Sequence, residues 1–239
     1  MKNIYLKADK NTFNEVLELA LRENVGIEYL MGFHDYRSLN FLSTCGVKFT
    51  IHSLFFDIDL ATLNPKVRKP SIDYLKEVIE ICNEIIPENL VIHHNYAPYK
   101  YAFKEGYFVE KFIEGFNEVI EGKKGYKISL ENVYEIDSNV AINIVNKLHR
   151  DDVGLCFDCG HFNIFSEEYL HSWLKKWDKR LFSFHLHNNY GLHDEHNVLS
   201  EGSFDIYEIK GYFKDRLLTI ENKTVKQLEI SLKYLRDLM

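Results

Sequence analysis

Asp158, His161, His185, His187, Asp194, His196 and Glu201 fall within residues 153–201, VGLCFDCGHFNIF…LFSFHLHNNYGLHDEHNVLSE. Carboxylates and imidazoles at this density suit a divalent cation, because they supply hard oxygen and borderline nitrogen donors together. A solvated surface prefers Lys and Glu to His. One histidine of the eleven in the chain is more often a satisfied core residue than a ligand. The metal reading therefore depends on further ligands arriving at the same place from elsewhere in the chain.

The elements that must position them alternate. Strands are expected at Asn3–Lys7, Gly26–Gly32, Val47–Leu54, Asn89–His94, Tyr126–Asn132, Val153–Phe157, Leu181–His187 and Arg216–Glu221. Between them run amphipathic stretches at helical spacing: Phe13–Leu21, Ile72–Ile86, Phe108–Ile120, Val140–Leu148, Glu167–Trp177, Ile206–Phe213 and Thr224–Leu238. A short helix is expected around Tyr36–Leu42, and Thr224 suits an N-cap. Eight strand–helix pairs in 239 residues predict an α/β protein, a (β/α)8 TIM barrel, as one domain over 1–239. The competing doubly wound sheet usually carries a glycine-rich turn after its first strand, and Ala8-Asp9-Lys10-Asn11 has no glycine.

The C-terminal strand ends carry the chemistry. Strand three ends at His52, strand four at His93, strand five at Glu131, strand six at Asp158 with His161 following, strand seven at His185 and strand eight at Glu221. Side chains alternate faces along a strand. Each candidate follows a large apolar residue (Ile51, Ile92, Leu130, Phe157, Phe184, Ile220), which would face the helices. Two positions earlier stands Thr50, Val91, Ser129, Cys156, Ser183 or Thr219, which would face inward one layer below. Barrel strands converge at that end, where such enzymes place their sites. The alternation selects His93 over His94 but leaves His185 and His187 equivalent. Glu131, Asp158 and Glu221 in apolar strands need partners, because ionised carboxylates are rarely buried alone.

Taken together these residues resemble the xylose-isomerase-like barrel superfamily, which includes sugar and sugar-phosphate isomerases and epimerases and the endonuclease IV type of abasic-site nuclease. The resemblance is carried by FDCGH followed by HLHNNYGLHDEHNVLSEG. These are similar to the family's Asp-x-x-His, His-Leu-x-Asp, D-x-H and Gly-Glu-Gly, with Asn188 and Ser200 as departures; by that match His185 is the ligand. The isomerase branch implies one divalent ion, often manganese, on Glu131, Asp158, His185 and Glu221. Its two glutamates form an acid/base pair that moves a proton beside a carbonyl through a metal-stabilised enediolate, and His161 binds substrate. The nuclease branch implies three zinc ions on nine ligands, and all nine positions are filled: His52, His93, Glu131, Asp158, His161, His185, Asp194, His196 and Glu221. The expected cofactor is thus one to three divalent ions, Mn or Zn.

Bulk properties narrow the partners. Net charge of −7 disfavours broad nucleic-acid binding. The mouth loops offer few cations beyond Arg37, Lys100, Lys104 and Lys223. The expected substrate is a sugar or sugar phosphate, with nucleic acid the partner only under the nuclease alternative. The loop Asn95–Lys104, with Tyr96, Tyr99, Tyr101 and Phe103, suits either ring stacking or a hydrophobic lid. Four cysteines are too few for a disulfide framework, and Cys156 and Cys159 read as structural thiols around Asp158. With no signal peptide apparent and no apolar run long enough to span a bilayer, a cytoplasmic location is expected, with no membrane partner.

Overall fold

The alternation of strand faces is the basis of the architecture. In β1 (Ile4–Ala8), Ile4, Leu6 and Ala8 join the apolar layer under the helices, which leaves Tyr5 and Lys7 on the inward face. The same division holds in β2 (Gly26–Leu30), β3 (Phe49–His52), β4 (Asn89–His93), β5 (Lys127–Glu131), β6 (Val153–Asp158), β7 (Leu181–Leu186) and β8 (Leu217–Ile220). Ile51, Ile92, Leu130, Phe157, Phe184 and Ile220 all lie in the outer core. Thr50, Ser129, Ser183 and Thr219 are buried polar residues of the inward layer. In the computed structural model, which describes residues 3–32 and 39–239, all eight strands pair in parallel and close into a barrel, β8 against β1.

The helices are α1 (Phe13–Glu23), α2 (Asn40–Thr44), α3 (Pro65–Ile85), α4 (Glu105–Val119), α5 (Asn139–Leu148), α6 (Cys159–Phe165), α7 (Leu170–Trp177) and α8 (Val225–Leu238). Helix α8 starts at a capping box between Thr224 and Gln227, which satisfies orphan N–H groups at both positions. Three expectations need correction. Helix α3 begins at Pro65, not Ile72, because Asn64 accepts from Lys66 N and Pro65 takes the first turn, where its missing N–H costs nothing. That first turn is exposed, so it shows no apolar period, and the helix continues through Pro70. The helix expected over Glu167–Trp177 is present as α7 but begins at Leu170, and an unexpected helix, α6, precedes it, springing directly from β6 with Asp158 as its N-cap. Ile206–Tyr212 is a 3-10 helix. The first part of the helix expected over Tyr36–Leu42 lies outside the described residues, as does Arg37. Among the described residues no helix is long and apolar enough to cross a membrane.

Candidate metal centre

Glu131 is the hub of the barrel mouth. Its neighbour in register on β4 is His93. Its Oε2 lies 3.2 Å from His52 Nε2, 3.2 Å from His93 Nε2 and 3.0 Å from His185 Nδ1. Its Oε1 is 3.2 Å from His161 Nδ1. Asp158 and His185 are register partners across β6 and β7. Glu221, one residue beyond β8, places Oε1 3.5 Å from His185 Nδ1. His161 sits on the first turn of α6, where its N–H donates to Asp158 Oδ1 at 2.7 Å. That cap swings its ring over the mouth.

The loop after β7 completes the arrangement. Asn188 holds it shut, with its amide donating to the carbonyls of Leu199 and Phe204, both at 2.9 Å. Asn222 donates to the carbonyls of His196 and Asn197. His196 takes a left-handed backbone (φ 54°), and its Nδ1 donates to the Glu221 carbonyl at 2.6 Å. Its Nε2 then faces Asp194 Oδ2 at 3.0 Å, and the same oxygen is 3.6 Å from His161 Nε2. The structure thus brings all nine sequence-selected residues to one mouth. Glu201, in contrast, is exposed on the loop.

The donor set fits a divalent cation. Both ring nitrogens of His93 and of His185 are buried without an aligned hydrogen bond. Unsatisfied buried polar atoms are costly, and a cation held between them and the carboxylates would remove that cost. Donor atoms gather in compact sets: His52, His93 and Glu131; His52, His185 and Glu221; Glu131, Asp158 and His161; His187, Asp194 and His196.

Charge follows from the same contacts. Burial opposes ionisation of Glu131, but the imidazoles of His185, His93 and His161 outweigh it and hold the carboxyl well below the usual range. Glu221 is lowered too: burial opposes, and His185, Lys7 and His196 prevail. Burial opposes protonation of His185, yet Glu131, Glu221 and Glu28 raise its pKa well above the ordinary imidazole value. His161 moves the same way under Asp158, Asp194 and Glu131, again against burial. Burial pushes the Cys156 thiol up to about 12. Cys156 and Cys159 are both free and buried, and Cys159 donates to the His187 carbonyl at 3.1 Å.

Two buried residues escape the strand-end reading. Glu28, in the middle of β2, accepts from Thr50 Oγ1 at 2.8 Å and Thr219 Oγ1 at 3.2 Å through Oε2. Its Oε1 is 2.9 Å from His185 Nε2. A carboxylate at that distance from Nε2, though not aligned for a hydrogen bond, favours the proton there by its charge and leaves Nδ1 for a cation, as in the carboxylate–histidine–metal arrangement. An acidic residue between Ile27 and Tyr29 was the available signal. Replacing Glu28 with Gln should weaken metal binding roughly 10–100-fold without unfolding the barrel. Competition against a fluorescent chelator reads the change, and an unaltered affinity would separate Glu28 from the centre.

His187 is the second. Its Nε2 lies 3.1 Å from both oxygens of Asp158, and its ring stacks on His196 with centroids 3.9 Å apart. Gly160 is glycine for this reason: a Cβ there would stand 2.0 Å from His187 Cε1. His185 and His187 share parity but divide the work, one facing Glu131 and Glu28, the other Asp158 and Asp194.

A cavity of about 300 Å³ opens above the hub. Its walls add Phe55, Phe56, Tyr134 and Phe165 to the polar set. The Asn95–Lys104 loop is not among them. Tyr96 is buried against Phe108, Tyr101 donates to Asp59 at 2.5 Å, and Lys100 pairs with Asp59 at 2.7 Å. His94 faces the helices, against Phe108 and Phe112 and in contact with Glu135.

Comparison with known proteins agrees with the barrel fold. A D-tagatose 3-epimerase-like protein superposes with a TM-score of 0.82 at 22% identity, over 99% of this chain and 96% of its own. The TTHB071 protein of Thermus thermophilus, soaked with ZnCl2, gives 0.81 at 20% identity, over 99% and 97%. Endonuclease IV of the same organism gives 0.71 at 13% identity, over 99% and 98%. At these identities the likeness is one of fold. The model of one family matches residues 26–237, from the strand that carries Glu28 to the last helix, and so spans every metal-directed residue of the mouth. The chain therefore belongs to the xylose isomerase-like TIM barrel family.

Proposed function

We propose that the barrel mouth is the divalent-metal centre of a sugar or sugar-phosphate isomerase or epimerase. The observation that carries this reading is the placement of Glu131 and Glu221. Their oxygens flank His185 Nδ1 at 3.0 and 3.5 Å, at the floor of a small cavity with aromatic walls. Glu131, Asp158, His185 and Glu221 would hold the ion, which when bound would polarise a substrate carbonyl and acidify the adjacent C–H. One glutamate then removes that proton while the other, protonated from water, returns one from the opposite side, and exchange of both carboxyls with solvent resets the pair. Both carboxylates rest ionised, so either can serve as the base, and the one that acts as the acid must first take its proton from solvent. His161, on the lip of the mouth, would bind a substrate hydroxyl. Phe55, Phe56, Tyr134 and Phe165 exclude water from the reacting carbon.

The nuclease reading is favoured by one observation, the full ligand set that includes Asp194 and His196. It predicts two or three ions and cleavage of an abasic-site duplex. The cavity argues the other way, because about 300 Å³ lies at the small-molecule end of ligand pockets. Lys100, one of the few cations expected at the mouth, is committed to Asp59. The decisive experiment pairs elemental analysis of the purified chain with an abasic-duplex cleavage assay. The proposal expects bound divalent metal and no competent cleavage. Protein purified without Zn, Mn, Mg, Fe or Co would remove the metal centre, and efficient strand scission would replace the isomerase with a phosphodiesterase.

A further inference from the structure

Lys7 is the one lysine or arginine lining the cavity among the described residues. It stands on the inward face of β1, opposite Glu28 in register. The pairing of Leu6 with Ile220 sets it beside Glu221 on the other side. Despite these neighbours, its ammonium makes no ion pair or hydrogen bond among the described residues. The Glu221 oxygens face His185 and His196 instead, at 3.5 and 3.7 Å. Glu28 is likewise occupied by two threonines and His185. Some other lysines of the chain are matched at close range, such as Lys123 with Asp152 at 2.8 Å and Lys100 with Asp59 at 2.7 Å. Lys7 acts on Glu221 only through its field and brings three donors, unpaired among the described residues, into a half-enclosed cavity.

We propose that Lys7 holds an anionic group of the substrate, a phosphate monoester or a carboxylate, beside the carbon on which Glu221 acts. This rests on the reading of the cavity as a small-molecule site. An ammonium is a strong point-charge donor to such oxygens. The mouth is otherwise crowded with carboxylates, so an anion can approach only where a cation answers it. A neutral sugar would leave that ammonium unanswered within the walls. The cavity's size keeps the anion close to the reacting carbon and so favours a small, charged substrate over a long neutral one.

The test is calorimetric binding to the metal-loaded full chain with three probes: ribose, ribose 5-phosphate and ribonate. At least one anion should bind tenfold or more tightly than ribose, and which one does identifies phosphate or carboxylate. Lys7→Met and Lys7→Gln should each erase about 10–100-fold of that preference, the value of a charged hydrogen bond, while ribose affinity stays the same. Lys7→Arg should keep much of it. The proposal fails if neither anion outbinds ribose, or if the preference survives in Lys7→Met. Solvent-deuterium incorporation into the sugar, followed by NMR, separates the two levels. A Lys7-dependent anion preference with no exchange on any sugar would leave the anion contact standing and remove the proton-transfer reading.

Discussion

Glu131→Gln protein is expected to lose at least about a thousandfold in solvent-deuterium exchange at the carbon beside the substrate carbonyl, and most of its metal with it. Glu221→Gln is expected to lose as much exchange but less of its metal. The difference follows from contacts. Glu131 meets His52, His93, His161 and His185 within 3.2 Å and belongs both to the set with His52 and His93 and to the set with Asp158 and His161. Glu221 meets only His185 and His196, at 3.5 and 3.7 Å, and the set of His52, His93 and Glu131 does not include it. The stability effects differ in the same way. An amide at position 131 leaves the protonated ring of His185 buried without the carboxylate 3.0 Å from its Nδ1, a loss on the order of 3–5 kcal/mol for the metal-free protein. A natively folded Glu131→Gln barrel by circular dichroism, with metal lost and exchange abolished, is the expected outcome. Near-wild-type exchange in either variant would take the proton-transfer role from that residue.

The same contacts show what a sequence can carry. The placement of each strand-end candidate was legible because strand parity is a local rule: Ile51, Phe157 and Phe184 must face the helices, so His52, Asp158 and His185 must face the mouth. His93 could be told from His94 by the same rule, and their separate surroundings agree. Parity says nothing of depth, which is why Glu28 was missed. It lies mid-strand, and only barrel closure brings it under His185 from five strands away. Nor could parity divide His185 from His187, since that division depends on Gly160 leaving space for one ring. The aromatic wall escaped for a third reason. Tyr96, Tyr99, Tyr101 and Phe103 suited either a stacking surface or a lid, but none of them lines the cavity: Tyr101 spends its hydroxyl on Asp59, and the wall comes from Phe55, Phe56, Tyr134 and Phe165. Which loop residues turn inward is decided by tertiary hydrogen bonds, such as those from Asn95 to the carbonyls of Phe55 and Ile58. No local pattern encodes them.

The site's charge makes thermal stability respond to pH in opposite ways with and without metal. Against the cost of burial, neighbouring carboxylates raise the pKa of His52, His161, His185 and His196. A raised folded-state pKa gives stability that is complete below the unfolded imidazole value, about 6.5, and is lost as pH climbs through the folded value. His93 is shifted down, chiefly by burial, so its cost falls below about 6.5, outside that window. Glu131, Asp158 and Glu221 are all lowered and stay ionised throughout it. Chelated protein should therefore melt at progressively lower temperature as pH rises above about 6.5. A cation needs those imidazoles neutral, so its binding releases protons and tightens over the same range. Metal at a thousandfold excess over its Kd contributes about 4 kcal/mol, or on the order of 10 °C for a domain of this size. The gap between metal-loaded and chelated melting curves should then widen as pH rises. Melting scans across that range, with calorimetry in buffers of differing ionisation enthalpy to count released protons, measure both effects. Parallel curves with no proton release would show that these histidines are not the groups a cation displaces protons from.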